Sequence, residues 1–279
     1  MESLTFSSTL PPPSPPPPTL PPLPPTPPPA YTSDASQESR NRRGKMPPPP
    51  PPTTIISSEN KKKRRYGESQ ELLNKRLKNN PPYEEVVGDI LKMFHTQSTA
   101  VIVQINNCVA RRAHYNTLTW HLSQLLPYSD PYSARKGVYP NLANKDDRPE
   151  LGTVELRRPP ADFKEAPTFA CFFSQYRMGN TDSQYYENAK YVDEEYLIKS
   201  KEKDTYSLRL LYFATCLHTL YSLLKEEENK KFTKVVFPKY IGCGLAGGNW
   251  DHYEKLIVKF CSKLKLVRND IEVIVVKKI

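Results

Sequence analysis

The residues best suited to chemistry in this 279-residue chain form a glycine-rich loop, since four of its ten glycines fall between Gly242 and Gly248. Apolar residues that include β-branched types precede the loop, as they would in a buried strand. Apolar residues at steps of three and four follow it and predict an amphipathic helix. They are Trp250, Tyr253, Leu256, Ile257, Phe260 and Leu264. A loop between a strand and a helix presents free backbone N–H groups and a positive helix end, so this pattern predicts a phosphate site.

Polar residues also follow two earlier apolar segments. Asp89 comes after Glu85–Gly88, and Asn106 and Asn107 come after the apolar run 99–105. Taken alone, Asp89 is an ordinary turn residue and the asparagines are common turn formers. An asparagine amide both donates and accepts, however, so it can also bind paired hydroxyl groups. Their chemistry depends on where the fold places them.

The elements that must position these residues alternate between strands and helices. We predict strands near residues 85–90, 99–105, 152–156, 168–173, 235–238 and 271–276, and helices over 117–126, 206–224 and the segment after the loop. The segment 128–150 shows no clear periodicity, and the tyrosine-rich insertion 179–203 has no assignment. The alternation favours an α/β fold, with a largely parallel sheet and helices on both faces. Ligands of such sheets bind at the carboxyl ends of the strands, where the Gly242–Gly248 loop must lie.

Residues 1–80 differ in composition from residues 83–279. The first segment holds most of the chain's 30 prolines and few apolar clusters, so we expect a disordered proline-rich tail before one folded domain. Its proline runs, such as Pro15–Pro18, resemble ligands of SH3, WW, EVH1 or profilin-type surfaces. Inert extended spacers have the same composition, so both interpretations stay open.

The tail is also basic, within a net charge of +10 for the whole chain. The run Lys61–Arg65 is typical of segments that dock in an acidic import receptor or against nucleic-acid phosphates, although a solubilising linker has the same pattern. We favour a nuclear, intracellular location. No aromatic residues alternate with these charges, which argues against specific nucleic-acid binding. The sequence shows no long apolar run and no secretory leader pattern, so we expect no membrane association.

The cysteines are odd in number and form no C-x-x-C pair. They are Cys108, Cys171, Cys216, Cys243 and Cys261. Buried structural thiols in a reducing compartment explain this pattern better than a disulfide framework or a metal site. We therefore expect no metal and no cofactor.

Three short stretches, taken in order, resemble the macro domain family. Gly88-Asp89-Ile90 looks like the family's G-D-I, and 100–108 (AVIVQINNC) is similar to the following strand with its terminal asparagine. The stretch 241–250 (IGCGLAGGNW) resembles the family's second phosphate loop, especially in macro domains of viruses, phages and lower eukaryotes. The resemblance covers residues 83–279, and it leaves open that the chain is a viral protein acting in a host cell.

The resemblance implies a three-layer α/β/α sandwich with a mixed, largely parallel sheet, and a site for ADP-ribose or a derivative. Asp89 would accept from the adenine amine, the Ile90 N–H would support the adenine, and Asn106 and Asn107 would approach the distal ribose. The loop backbone would wrap the diphosphate and the distal ribose. Its residues are Gly242, Cys243, Gly244, Leu245, Ala246, Gly247 and Gly248.

The sequence departs from hydrolytic members of the family in two places. After the asparagine strand, where many members carry glycines, this chain has 109–117 (VARRAHYNT), in which Arg111 and Arg112 either contact phosphate or form an exposed basic turn. Ala246 stands where one deglycosylating branch has an aspartate. Asn107 and His114 are then the only candidates for catalysis, and a lone histidine in a loop is more often a bystander than a base.

Several functions stay open at this stage. The domain either hydrolyses ADP-ribosyl-protein or ADP-ribose 1″-phosphate, or binds ADP-ribosylated partners without turnover. A third interpretation is a proline-rich scaffold with a degenerate folded anchor. A Rossmann dinucleotide enzyme is disfavoured, because its glycine loop follows the first strand, whereas this loop precedes the last one.

Overall fold

The computed structural model describes residues 81–138, 141–181 and 193–278. The proline-rich tail with its basic clusters lies outside the described residues, as does the middle of the tyrosine-rich insertion. All of the candidate site residues named above fall within them.

Within the part of the chain that the structure describes, six strands form the main sheet. They are β1 (Glu84–Val87), β2 (Ala100–Asn107), β5 (Val154–Arg157), β6 (Thr168–Gln175), β7 (Lys234–Pro238) and β8 (Glu272–Lys277). Their spatial order is β1-β8-β7-β2-β6-β5. All neighbours run parallel except β5, which pairs antiparallel with β6 at one edge. A separate two-stranded hairpin consists of β3 (Gly137–Val138) and β4 (Leu142–Ala143). The sheet is thus mixed and largely parallel, as predicted.

Among the described residues, five α-helices pack around the sheet. They are α1 (Ile90–Phe94), α2 (Leu118–Leu125), α3 (Glu194–Glu202), α4 (Tyr206–Lys225) and α5 (Trp250–Lys265). Thr117, Asp193, Thr205 and Asn249 cap the last four at their N-termini through side-chain oxygens, which satisfies backbone N–H groups that have no partner within the helix.

The strands send alternate side chains to the two faces of the sheet, as their period of two requires. In β2, Val101 and Val103 join the core formed with α4 and α5, while Ala100 and Ile102 join the core on the side of α1 and α2. Buried residues of the neighbouring strands divide in the same way. The fold is therefore a three-layer α/β/α sandwich, which confirms the predicted fold class.

One local prediction differs from the structure, and two segments for which no element was predicted contain regular structure. Ile90 begins α1 and does not end a strand, because Asp89 accepts from the Leu91 N–H at 2.9 Å and caps the helix. The insertion 179–203 contains α3, which its polar composition does not reveal. In its described part, the aperiodic segment 128–150 holds the hairpin, the end of a 3₁₀ turn at 127–129 and a second 3₁₀ turn at 145–147. Among the described helices, none combines the length and apolarity needed to span a bilayer.

Candidate functional site

The glycine loop lies at the carboxyl end of β7 and leads directly into α5. Gly242 and Gly247 have φ angles of 74° and 70°, a left-handed region that glycine adopts at little cost. The loop closes on itself, since Gly248 N donates to Gly242 O and Gly247 N donates to Gly244 O, each at 2.9 Å. The predicted strand, loop and helix are all present, and the loop is a compact double turn.

Packing requires glycine at some positions of the loop but not at others. A Cβ atom on Gly242 or Gly248 would meet the Tyr253 ring at 2.8 and 2.7 Å, so the packing of α5 excludes a side chain at both positions. A Cβ atom on Gly244 would meet nothing within 4 Å, and its φ angle is not positive. Neither packing nor backbone conformation requires glycine at position 244. The backbone at Gly244 is therefore open to close approach by a ligand.

Several backbone N–H groups of the loop are available to a ligand. Cys243, Gly247 and Gly248 donate to carbonyl groups within the loop segment. Within the described parts of the chain, the N–H groups of Gly242, Gly244, Leu245 and Ala246 have no acceptor. Unpaired N–H groups ahead of a helix N-terminus form a binding site for anions. The loop therefore has the donors that phosphate binding needs.

Cys243 contributes its backbone to the loop, and its thiol does not point to catalysis. The Sγ atom donates to the Ile241 carbonyl at 3.4 Å, and burial raises the pKa of this thiol to about 11. A thiol with a raised pKa stays protonated near neutral pH and is a poor nucleophile. The other four cysteines are free and buried, as predicted for structural thiols.

A buried ion pair that the sequence analysis missed holds the loop in place. Arg209 on α4 is 1% exposed and bonds Asp204 through Nε and Nη2, both at 2.7 Å. Its Nη1 also donates to the carbonyls of Gly179 at 2.7 Å and Ala246 at 3.2 Å. Asp204 in turn accepts from the N–H groups of Tyr176 and Arg177. One charge pair thus joins the end of β6, the start of α4 and the glycine loop.

The spacing of residues on α4 contains a signal for this ion pair. Arg209, Phe213, Cys216 and Leu220 fall at the spacing of one helix face, and all four are buried on α4. A buried arginine needs a counter-charge, because burying an unpaired ion is costly. The sequence could have predicted that a partner exists, but not that it is Asp204.

The loop is also tied to the first turn of α4. Asn249 N, at the end of the loop, donates to the Tyr206 hydroxyl at 3.3 Å, and that hydroxyl lies 2.8 Å from His252 Nδ1. His252 is exposed, so this tyrosine–histidine pair lies at the rim of the loop. Tyr206 also lines a cavity of about 310 Å³. Its lining residues are Arg177, Thr181, Ser200, Lys201, Asp204, Thr205 and Tyr206.

Asp89 and Ile90 lie on the same edge of the sheet as the loop. They follow β1, which is separated from β7 by β8 alone, so the strand axes are about 10 Å apart. One Asp89 oxygen caps α1, and the other has no partner among the described residues. Ile90 is the first residue of α1, so its N–H has no acceptor within the helix. The contact of either group with adenine stays a prediction.

Asn106 and Asn107 lie deeper than the sequence suggests. Asn106 is 0% exposed, and its Nδ2 lies within hydrogen-bonding distance of Thr119 Oγ1 and the Tyr132 hydroxyl. Asn107 is 6% exposed, and its Oδ1 accepts from the Ala110 N–H at 2.7 Å. The buried Tyr132, whose pKa burial raises to about 12, joins both amides. These contacts fix the end of β2 and engage both side-chain nitrogens within the protein. Asn106 Oδ1, by contrast, is buried without a hydrogen-bond partner among the described residues.

The two arginines of the loop after β2 differ in how far their side chains are engaged within the protein. Asn141 Oδ1 accepts from the N–H groups of Arg111 and Arg112 at 3.2 and 2.9 Å, which fixes their backbone. Arg111 Nη1 donates to the Gly137 carbonyl, while the Arg112 side chain is exposed and has no partner among the described residues. His114 is exposed, and its Nδ1 lies 2.9 Å from the Tyr115 carbonyl. No contact places His114 at the glycine loop.

Metal chemistry has no counterpart among these residues. Within 81–138, 141–181 and 193–278, no group of three or more His, Cys, Asp or Glu side chains is placed to hold a metal ion. The site consists of backbone donors, one acidic residue and a supporting ion pair.

Comparisons with known proteins give structural matches only. No protein-family model matches this sequence, and no curated protein matches it. A crystal structure of a Bacteroides thetaiotaomicron protein from a structural genomics programme matches with 18% identity and a TM-score of 0.42, over 70% of this chain and 99% of that one. The Oceanobacillus iheyensis macrodomain with MES bound matches with 17% identity and a TM-score of 0.37, over 70% of this chain and 82% of that one.

A third structure, alphavirus P23pro-zbd, matches with 12% identity and a TM-score of 0.38. The match covers 70% of this chain but only 21% of that one, so the present chain corresponds to a small part of it. At these identities and TM-scores, the function of this chain has to be inferred from its own residues.

Proposed function

We propose that residues 83–279 bind ADP-ribose or an ADP-ribose derivative across the carboxyl edge of the sheet. The observation that carries this proposal is the set of unpaired N–H groups around Gly244, in a loop that packing holds in shape. In this proposal the loop holds the diphosphate, and Asp89 with the Ile90 N–H holds the adenine. The sequence resemblance to macro domains supports the same assignment.

Typical interaction free energies favour backbone hydrogen bonds as the main source of ligand affinity. The N-terminus of α5 contributes about 0.3–1 kcal/mol toward an anion. Each hydrogen bond to a charged group contributes about 1.5–3 kcal/mol, so several loop N–H groups outweigh the helix dipole. Arg209 is committed to Asp204 and to carbonyl groups, which leaves the backbone as the main donor of the loop. Asn106 contributes by fixing β2, since its amide is fully buried.

Calorimetric titration of the full chain with ADP-ribose tests the proposal. Gly244→Glu adds a carboxylate where no protein atom interferes, so it should abolish binding while the protein stays folded. Gly247→Glu is a poorer probe, because its Cβ would lie 2.9 Å from that of Asn180 at a positive φ. Leu211→Glu, at an exposed position on α4, adds the same charge elsewhere and should bind normally. Absence of binding by the wild-type chain at millimolar ADP-ribose would refute the proposal.

Hydrolysis of the bound ligand is a second candidate function, favoured by the Tyr206–His252 pair. This pair lies beside the loop and contains an imidazole, the group best suited to proton transfer near neutral pH. Incubation with ADP-ribosylated protein, and separately with ADP-ribose 1″-phosphate, should release ADP-ribose if the domain is a hydrolase. His252→Gln should then lower the rate without abolishing binding. Tight binding with no release identifies a reader that does not turn over its ligand.

A further inference from the structure

An aromatic surface lies on the loop and helix that follow β2, the strand next to β7 in the sheet. We name it the aromatic tip and define it as residues 111–121. Tyr115 is 72% exposed, and its ring centroid lies 4.7 Å from that of Trp120 in an edge-to-face arrangement. Trp120 contacts His121 in the same manner, with centroids 5.0 Å apart. Three neighbouring rings thus form one cluster at the protein surface.

Local hydrogen bonds give the aromatic tip its shape. Asn116 has a φ angle of 62°, which is uncommon for a residue other than glycine, and its Oδ1 lies 2.9 Å from His121 Nε2. Thr117 donates through Oγ1 to the His114 carbonyl at 2.7 Å and also caps α2. These bonds turn the chain so that Tyr115 points outward next to Trp120. The exposed ring therefore belongs to a defined structure.

The segment of the chain that carries the rings has formal charges of one sign only. Residues 90–129 include Lys92, Arg111 and Arg112 but no aspartate or glutamate. The Arg112 side chain is exposed, with its backbone fixed by Asn141. The N-terminus of α2 adds a positive dipole end at the same place. A ligand that suits this surface carries negative charge and flat apolar rings.

We propose that the aromatic tip binds single-stranded nucleic acid without reading its sequence. Bases of a single strand stack on exposed aromatic side chains, and nearby cations pair with the phosphates. Tyr115 is the stacking ring, Trp120 supports it from the side, and Arg112 contacts the backbone. A duplex keeps its bases stacked inside and cannot use Tyr115 in this way. The proposal extends beyond ADP-ribose binding, and the aromatic tip and the glycine loop follow the neighbouring parallel strands β2 and β7.

Fluorescence separates the aromatic tip from the basic tail. The chain has two tryptophans, so Trp250→Phe leaves Trp120 as the only one. A ten-nucleotide single strand of thymidines should quench Trp120 emission in the full chain, and a duplex of the same length should not. Tyr115→Ala, at an exposed position, should weaken binding of the single strand about tenfold. Tyr221→Ala provides the control, because Tyr221 also lies beside a cation, Lys225, but on α4.

Salt dependence supplies a second measurement. Removing one phosphate contact with Arg112→Ala should lower the slope of log K against log salt by about 0.7. Several outcomes would overturn the proposal. They are absence of binding, binding that leaves Trp120 emission unchanged, equal affinity of Tyr115→Ala and wild type, and equal quenching by single strand and duplex. Unchanged Trp120 emission, or equal affinity of Tyr115→Ala and wild type, would assign any binding to the basic tail.

Discussion

The carboxylate of Asp204 and the guanidinium of Arg209 form a two-bond ion pair that fixes the glycine loop, with both N–O distances at 2.7 Å. Both residues are 1% exposed, so neither charge has water as an alternative partner. The same guanidinium holds the carbonyls of Gly179 and Ala246. Arg209 thus anchors the glycine loop through the carbonyl of Ala246.

Replacing Arg209 with methionine should strongly destabilise the protein, because it leaves the Asp204 charge buried without its main partner. Breaking a buried pair from one side costs about 3–5 kcal/mol. Urea denaturation measures this loss in the free energy of unfolding. Lys230→Met removes an exposed ion pair with Glu227 and should cost less than about 1 kcal/mol. Similar losses in the two variants would show that the buried pair has no special structural role.

Alanine substitutions at Gly242 and Gly244 should affect different properties of the protein, stability in the first case and ligand binding in the second. Gly242→Ala places a methyl group 2.8 Å from the Tyr253 ring at a positive φ, so it should reduce the free energy of unfolding by more than about 1 kcal/mol. Gly244→Ala meets no atom and should leave thermal stability unchanged. Its methyl group would instead obstruct a ligand at the backbone, which calorimetry with ADP-ribose would detect as weaker binding. Unchanged binding by Gly244→Ala would argue against close approach at this residue.

Two substitutions at Asp89 separate its structural role from its proposed ligand role. Asparagine caps a helix as well as aspartate does, so Asp89→Asn should keep the stability of α1, whereas Asp89→Ala should cost about 0.5–2 kcal/mol. If the second oxygen of Asp89 accepts from adenine, Asp89→Asn should weaken ADP-ribose binding by about 1.5–3 kcal/mol, because an amide nitrogen cannot accept. Thermal unfolding and calorimetry on the same samples measure both effects. Wild-type affinity in Asp89→Asn would exclude this contact.

The sequence predicts the fold well where local pattern and tertiary packing agree. The apolar run of β2 and the stripe of α5 are strong periodic signals, and both elements occur where predicted. The glycine loop is predictable for the same reason, since a strand and a helix enclose it. Helix α3 is not predictable, because its few buried residues, such as Tyr196, give too weak a stripe in a polar segment.

The environment of the site is less predictable than its position. The amide of Asn106 can face a ligand or the core, and only the placement of Tyr132 and Thr119 decides that it is buried. The bond from Arg209 to Ala246 likewise joins residues 37 positions apart. Such contacts depend on how helices pack across the sheet, and short motifs contain no information about that packing.

The stability of the fold should decrease in alkaline solution because of its buried thiols. Burial raises the pKa of Cys108 and of Cys171 from 9.0 to about 12. Between these values the unfolded chain loses the thiol protons while the folded chain keeps them, so unfolding becomes more favourable as pH rises. Below about pH 8 both states are protonated, and these thiols cause no pH dependence.

Cys108→Ala tests this alkaline effect, because the Cys108 side chain lies in the core beside α2 and alanine there cannot ionise. Each pH unit above 9.0 should cost wild type about 1.4 kcal/mol per buried thiol. Urea denaturation at pH 8 and pH 10 should therefore show a smaller loss for Cys108→Ala than for wild type, whatever the cost of the substitution at pH 8. Equal losses would mean that the Cys108 thiol ionises in the folded chain at its ordinary pKa. Water would then reach the core beside β2, in conflict with the 0% exposure of Cys108.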